Sequence, residues 1–310
     1  MRVASVDIGT NSVLLLVAER GPGGEARAVL ERATITRLGE GVDATGELSV
    51  QARERTLRCL ESYAREAREA GVEIIHAVGT SAMRDARGGT AFAAQAEALL
   101  GAAPRVISGQ EEARLTFRGA LSGLATEGPV LVFDVGGGST ELILGQQGLG
   151  GLLLGRAVSL DVGSVRLTER YLRGDPPTRP ELEALEAEVA RQLDSFPVGP
   201  GVTPVGVAGT VTTLAAVARG VIPYDAVRIH GLTLDATEVE ALARRLASLP
   251  VADRRGLPGL EPKRADVIAA GALLVAAILK RVGAPRLVVS DRGVRWGLAL
   301  ELLDRDYEKK

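Results

Sequence analysis

Ser5-Val6-Asp7-Ile8-Gly9-Thr10-Asn11-Ser12 and, far along the chain, Val132-Phe133-Asp134-Val135-Gly136-Gly137-Gly138-Ser139 follow one pattern. Each is an apolar strand that reaches an aspartate, turns through glycine and a hydroxyl residue, and resumes as a second apolar strand. The second strands are Val13 to Ala18 and Leu142 to Leu144. A turn of Gly, Ser and Thr offers consecutive backbone N–H groups and hydroxyls, which suit phosphate oxygens. The aspartate adds a hard oxygen ligand for Mg²⁺, which would bridge to those phosphates. One such turn is ordinary hairpin punctuation. Two in equivalent settings imply a duplicated architecture with a phosphate site between the halves.

Outward from these turns the halves repeat. Ala28–Leu38 reads as a third strand, and Ser49 opens an amphipathic helix reaching about Ala70, with Val50, Leu57, Leu60 and Ala64 on one face. Val72–Val78 reads as a strand before Gly79-Thr80-Ser81, and a short strand precedes Ser108-Gly109 and a helix over 110–124. In the second half Leu152–Ser159 is a strand, and Thr178-x-x-Glu181 with Pro180 is a capping box opening a helix. Pro204–Ala208 is a strand ending in Gly209-Thr210, and Arg286–Ser290 meets Asp291-Arg292-Gly293. The expected fold is α/β, with two similar domains around a central cleft. They span 1–125 and 126–310, and the last helix, about 296–310, is free to pack back on the first domain.

The chain has 310 residues, 46% of them hydrophobic, enough for substantial cores. A net charge of −2 gives no global attraction to nucleic acid or an anionic membrane, so neither is expected as a partner. Cys59 is the single cysteine, which excludes an intrachain disulfide or a cysteine zinc site and fits a reducing compartment. The N-terminus opens as a strand carrying Asp7, unlike a signal peptide, and the apolar run Val267–Leu279 is too short to span a bilayer. A soluble, cytoplasmic protein is the expectation.

Among residues able to do chemistry, Glu111 and Glu112 sit in the first turn of their helix, where carboxylates are favoured in any case. Ser108-x-x-Glu111 fits a capping box, which gives Glu111 a structural task and leaves Glu112 without one. Arg84 reads either as a surface arginine or as a partner for anions at the Gly-Thr-Ser turn before it. His76 and His230 read as structural.

Taken in order, Asp7–Ser12, Gly79-Thr80-Ser81-Ala82-Met83-Arg84, Ser108-Gly109-Gln110-Glu111-Glu112-Ala113-Arg114, Asp134–Glu141, Gly209-Thr210-Val211-Thr212 and Ser290–Gly297 resemble the exopolyphosphatase / guanosine pentaphosphate phosphohydrolase (Ppx/GppA) family. The resemblance covers essentially the whole chain, and its Ser-Gly-x-Glu-Glu-Ala-Arg segment is the most restricted part. It implies two actin/Hsp70-like (ribonuclease H-like) domains. It places the general base on Glu112, Mg²⁺ ligands on Asp134, Glu141 and Asp7, and a charge-neutralising role on Arg84. Ser139 with Gly136, Gly137 and Gly138 would cradle phosphate opposite Thr10, Asn11 and Ser12, with Gly209 and Thr210 also binding substrate. Another divalent cation in place of Mg²⁺, stimulation by a monovalent cation and a homodimer are compatible with it.

The implied substrates are inorganic polyphosphate, guanosine pentaphosphate, or both. Longer family members carry a C-terminal histidine-aspartate-type helical domain; this chain stops at Lys310, and neither histidine is followed by Asp. The match is therefore to the short, two-domain form, with preference for short polyphosphate and few contacts beyond the turns, Arg84 and the Lys263-Arg264 pair. Two other readings stand beside this one: an actin-like ATPase or sugar kinase, and a non-catalytic alarmone-binding regulator.

Overall fold

The structure, a computed structural model, describes residues 2–148, 151–199 and 201–307. The chain forms two compact units, residues 2–119 with 294–307, and residues 120–293. In the first unit, β1 (Arg2–Ile8), β2 (Ser12–Arg20) and β3 (Ala26–Ile35) form a meander. A short α1 (Val42–Thr45) and a long α2 (Val50–Glu69) follow, then β4 (Ile75–Gly79), α3 (Ser81–Asp85), α4 (Gly89–Leu100), β5 (Arg105–Val106) and α5 (Gly109–Leu121). Ser49 starts α2 by accepting the Ala52 N–H through its hydroxyl at 3.2 Å. Cys59, Leu60, Tyr63, Ala64 and Ala67 then form one buried face, packed into a cluster with Val6, Ile8, Val13 and Leu15. Helical periodicity and the strands' buried face thus meet in one core.

The second unit opens with a matching meander, β6 (Pro129–Val135), β7 (Thr140–Gly148) and β8 (Gly151–Leu160). After it come α6 (Ser164–Tyr171), α7 (Arg179–Leu193), β9 (Thr203–Val207), α8 (Ala208–Arg219), α9 (Ala226–Ile229) and β10 (Thr233–Asp235). The unit ends with α10 (Ala236–Ser248), α11 (Val251–Arg255), α12 (Ile268–Val282) and β11 (Arg286–Val289). The apolar run of α12 lies in the core of this unit, as its composition dictates. Among the described residues no helix is long and apolar enough to cross a membrane. The last helix, α13 (Val294–Tyr307), belongs to the first unit, where Trp296, Leu298, Ala299 and Leu302 pack with Val3, Leu16 and Ala18. Ser5 Oγ donates to the Arg295 carbonyl at 2.7 Å. The end of α5 belongs with the second unit, because Ser290 Oγ donates to Ala120 O and Arg292 to Ser122 O, both at 2.9 Å.

Among the described residues the sheet orders are β3-β2-β1-β4-β5 and β10-β11-β9-β6-β7-β8. Read from the meander, the second repeats the first and adds an edge strand. β1 and β6 each have an antiparallel neighbour on one side and a parallel one on the other. Each unit is an α/β domain in which a three-stranded meander continues into parallel strands. The carboxyl ends of β1, β4 and β5 share one sheet edge, as do those of β6, β9 and β11. In open α/β sheets that edge is where ligands bind.

Candidate active site

In the first unit, β1 ends through Asp7 into the turn Gly9–Ser12, closed by the Gly9 N–H donating to Ser12 O at 3.0 Å. The carbonyl side of this turn is occupied. Thr36 and Arg37 N–H both donate to Asn11 O, at 3.1 and 2.9 Å, and Gly39 N–H donates to Thr10 O at 2.9 Å. In a trans peptide the C=O and the following N–H point opposite ways, so the Asn11 and Ser12 amides face away from the 36–39 segment. The Asn11 side chain is only 6% exposed, and neither its Oδ1 nor its Nδ2 has a hydrogen-bond partner. A buried amide left so costs about 1–3 kcal/mol; a bound oxyanion would satisfy its donor.

The neighbouring strands bring the remaining first-unit candidates to this turn. Thr80 N–H donates to Ile8 O at 3.2 Å, and the Thr10 and Ser81 hydroxyls share a hydrogen bond of 2.8 Å. One helical turn beyond Ser81, Arg84 Nη1 donates to Glu112 Oε2 at 3.1 Å and to Ile107 O at 3.1 Å. Its Nε lies 3.4 Å from Asp85. Glu112 is 6% exposed, in the first turn of α5, where its N–H donates to Ser108 O. Arg84 therefore holds the carboxylate to which the resemblance assigns the base role. The Ser108 capping box is half formed: Ser108 Oγ accepts the Glu111 N–H at 3.2 Å, but the Glu111 carboxylate pairs with Arg105 instead of returning to the cap. A free-swinging capping glutamate loses to a guanidinium within reach.

The second unit reproduces this plan with different parts. Gly136 N–H donates to Ser139 O at 3.1 Å, closing a turn of the same length, and Val135 pairs with Thr140 as Ile8 pairs with Val13. The carbonyl side is covered by the start of α6. Ser164 N–H donates to Gly136 O at 2.9 Å, and Val165 and Arg166 N–H to Gly137 O at 2.9 and 3.1 Å. Arg166 Nε donates to Gly138 O at 2.7 Å. The amides of Gly137, Gly138 and Ser139 consequently point away from α6, together on one side. Asp134 stands opposite Glu141 in the β6–β7 register, and Glu141, 1% exposed, accepts from Ser159 Oγ at 2.7 Å. Thr210 Oγ1 donates to Val135 O at 3.2 Å, and a Cβ on Gly293 would stand 4.0 Å from Asp134 Oδ2.

Each unit thus gathers its own candidates: Asp7, Thr10, Asn11, Ser12, Arg84 and Glu112 in one, and Asp134, Gly136–Ser139, Glu141, Gly209 and Thr210 in the other. Among the described residues no three His, Cys, Asp or Glu side chains are grouped closely enough to hold a metal alone. Carboxylates in ones and twos still suit Mg²⁺, which keeps waters and takes substrate phosphates as ligands. Sequence reading did not identify α6 or the 36–39 segment as supports for the turns. The guanidinium of Arg264 lies where a Gly209 side chain would be, its Nη1 2.2 Å from that Cβ position, so a side chain at 209 would displace it.

The Ppx/GppA phosphatase family model matches residues 16–306. The chain belongs to the Ppx/GppA phosphatase family. It is 39% identical to exopolyphosphatase 2 of Mycobacterium tuberculosis over 97% of this chain and 98% of that protein. It is 31% identical to a guanosine-5'-triphosphate,3'-diphosphate pyrophosphatase of Vibrio atlanticus over 97% of this chain and 59% of that longer protein. The crystal structure of the Aquifex aeolicus Ppx/GppA member superposes with a TM-score of 0.83 at 35% identity, covering 99% of both chains.

Proposed function

We propose that this Ppx/GppA protein is a phosphoanhydride hydrolase that removes the terminal phosphate of inorganic polyphosphate, of guanosine pentaphosphate, or of both. The observation that carries the reading is Glu112, a buried carboxylate steadied by Arg84 at the strand edge that also presents Asn11 with its unpaired amide. Family membership and the relatives named exopolyphosphatase and pyrophosphatase supply the reaction class.

In this reading Glu112 orients a water and takes its proton as the water attacks the terminal phosphorus. Phosphoanhydride hydrolysis proceeds through a loose transition state with charge on the peripheral oxygens, so positioning and charge stabilisation dominate. The amides of Gly137, Gly138 and Ser139 and the Ser139 hydroxyl hold phosphate oxygens, as do the Asn11 and Ser12 amides. Thr210 buttresses the second turn through Val135, and Arg264 adds positive charge beside Gly209. Asp134 and Glu141 would hold Mg²⁺ in the second unit, Asp7 being the corresponding acid of the first, and the ion would supply charge neutralisation on the phosphates when bound. Arg84 has two tasks: holding Glu112 in the resting site and neutralising the phosphoryl group.

Phosphate release from short polyphosphate, long polyphosphate and guanosine pentaphosphate, measured side by side without any other nucleotide, tests the proposal. Release from at least one supports it. Binding of the guanosine compounds with no turnover on any substrate would overturn it in favour of a regulator.

A further inference from the structure

The carbonyl side of each glycine turn is held by a segment that follows the third strand of its meander, and the two segments differ in secondary structure. In the first unit it is a loop in which Arg37 adopts φ +52°, letting Thr36 and Arg37 N–H converge on one oxygen. In the second it is the first turn of α6, which uses three N–H groups, the Ser164 hydroxyl and the Arg166 Nε on three successive carbonyls. Gly163 makes this fit. A Cβ there would lie 2.5 Å from Gly137 O and 2.8 Å from Gly138 N. Its φ of −155° is extended and open to any residue, so the requirement for glycine is purely one of space.

We propose that Gly163 and Arg166 are positioning residues that set phosphate affinity by fixing the peptide planes of Gly136–Ser139. Neither needs to touch substrate. With the carbonyls of Gly136, Gly137 and Gly138 taken up by α6, the planes cannot flip, and the three following amides stay aimed at one point without reorganisation on binding. Each carbonyl that accepts a hydrogen bond also polarises its own peptide, making the opposite N–H a better donor. The first-turn N–H groups of α6, which would otherwise need partners, are satisfied by the same contacts. The same plan built twice, once from a loop and once from a helix, points to a requirement of the turns and not of α6.

The inference rests on the turn being a phosphate cradle, and its test reads binding separately from turnover. Tripolyphosphate affinity would be measured by calorimetry on the full chain for the unaltered protein and for Gly163→Ala, Arg166→Met, Arg166→Lys and Arg170→Ala, alongside ligand-free Tm. Gly163→Ala and Arg166→Met should each weaken binding about tenfold, the equivalent of one lost charge-assisted hydrogen bond. Arg166→Lys should recover part of the loss, because an ammonium can still donate to the Gly138 carbonyl. Arg170→Ala, on the exposed side of α6, should bind normally. In kinetics the rise should appear in KM with kcat largely kept. Unchanged affinity in both Gly163→Ala and Arg166→Met, or losses that track Tm alone in all four variants, would overturn the proposal. No tripolyphosphate binding by the unaltered protein would overturn it too, whereas binding without turnover would sink only the hydrolase reading.

Discussion

Glu111 and Glu112 are neighbours of one residue type in one helical turn, and their surroundings separate them. Glu111 faces solvent and pairs with Arg105, an exposed contact worth less than about 1 kcal/mol. Glu112 is buried and held by Arg84. Glu112→Gln is close to isosteric; it removes the base and leaves Arg84 a neutral acceptor in place of its ion pair, so kcat should fall roughly 10²–10⁴-fold while tripolyphosphate binding stays near its original value. Glu111→Gln should leave kcat within about a factor of two, since a surface ion pair is all it loses. Phosphate release by the two variants decides the assignment, and a larger loss from Glu111→Gln reverses it. Asp134→Ala and Glu141→Ala address the metal. Each removes a hard oxygen, so each should raise the Mg²⁺ concentration for half-maximal rate. An unaltered Mg²⁺ titration in both variants would refute a shared site.

At the scale of elements, the helix ends carry measurable consequences. Ser49 caps α2, and Ser49→Ala should cost about 1 kcal/mol in a denaturant titration. At the start of α7 the capping box forms in full, and the Glu181 carboxylate also gathers the N–H groups of Arg173 and Gly174. Hydrogen bonds from the Thr178 N–H above all, then the Arg173 N–H and the Thr178 hydroxyl, pull its carboxyl from an ordinary 4.5 to about 2. The folded value lies below the unfolded one, so this stabilisation is complete above pH about 4.5 and is lost as pH falls toward about 2. The Tm gap between the unaltered protein and Glu181→Gln should therefore be full at neutral pH and narrow across that window. A gap independent of pH would refute it. Local signals of this kind were legible in sequence: the Ser49 and Thr178 caps, the buried Leu60 and Ala64 of α2, and the hairpin turns after Asp7 and Asp134, whereas Val50, expected on the same face of α2, is 54% exposed. What was not legible depends on distant partners. Nothing near Gly138 announces Arg166, nothing near Gly209 announces Arg264, and the pairing of Arg84 with Glu112 forms only once β4 and β5 lie side by side. Ser108-x-x-Glu111 shows the converse, a local pattern overridden by Arg105.

At the scale of the whole molecule the net charge of −2 offers a polyanion no supplementary field, so attraction must come from the sites themselves. Each unit has its own turn with a few aimed amides, with Arg84 near the first and Arg264 near the second. Such sites reach a few terminal phosphates. Affinity should therefore rise with polyphosphate length only until that footprint is filled, then level off. Longer chains should then gain no slower departure, and the product of each cut should leave before the next. The expected behaviour is distributive, with short polyphosphate the better substrate per terminal group. Partial digestion of a long polyphosphate of uniform length, resolved on a gel, gives the readout: a smooth ladder descending from the starting length. Full-length polymer passing straight to phosphate with no intermediates would show that the protein keeps hold of its substrate. A further basic track along the surface would then be required, and Arg-to-Gln scanning outside the two turns would be the way to find it.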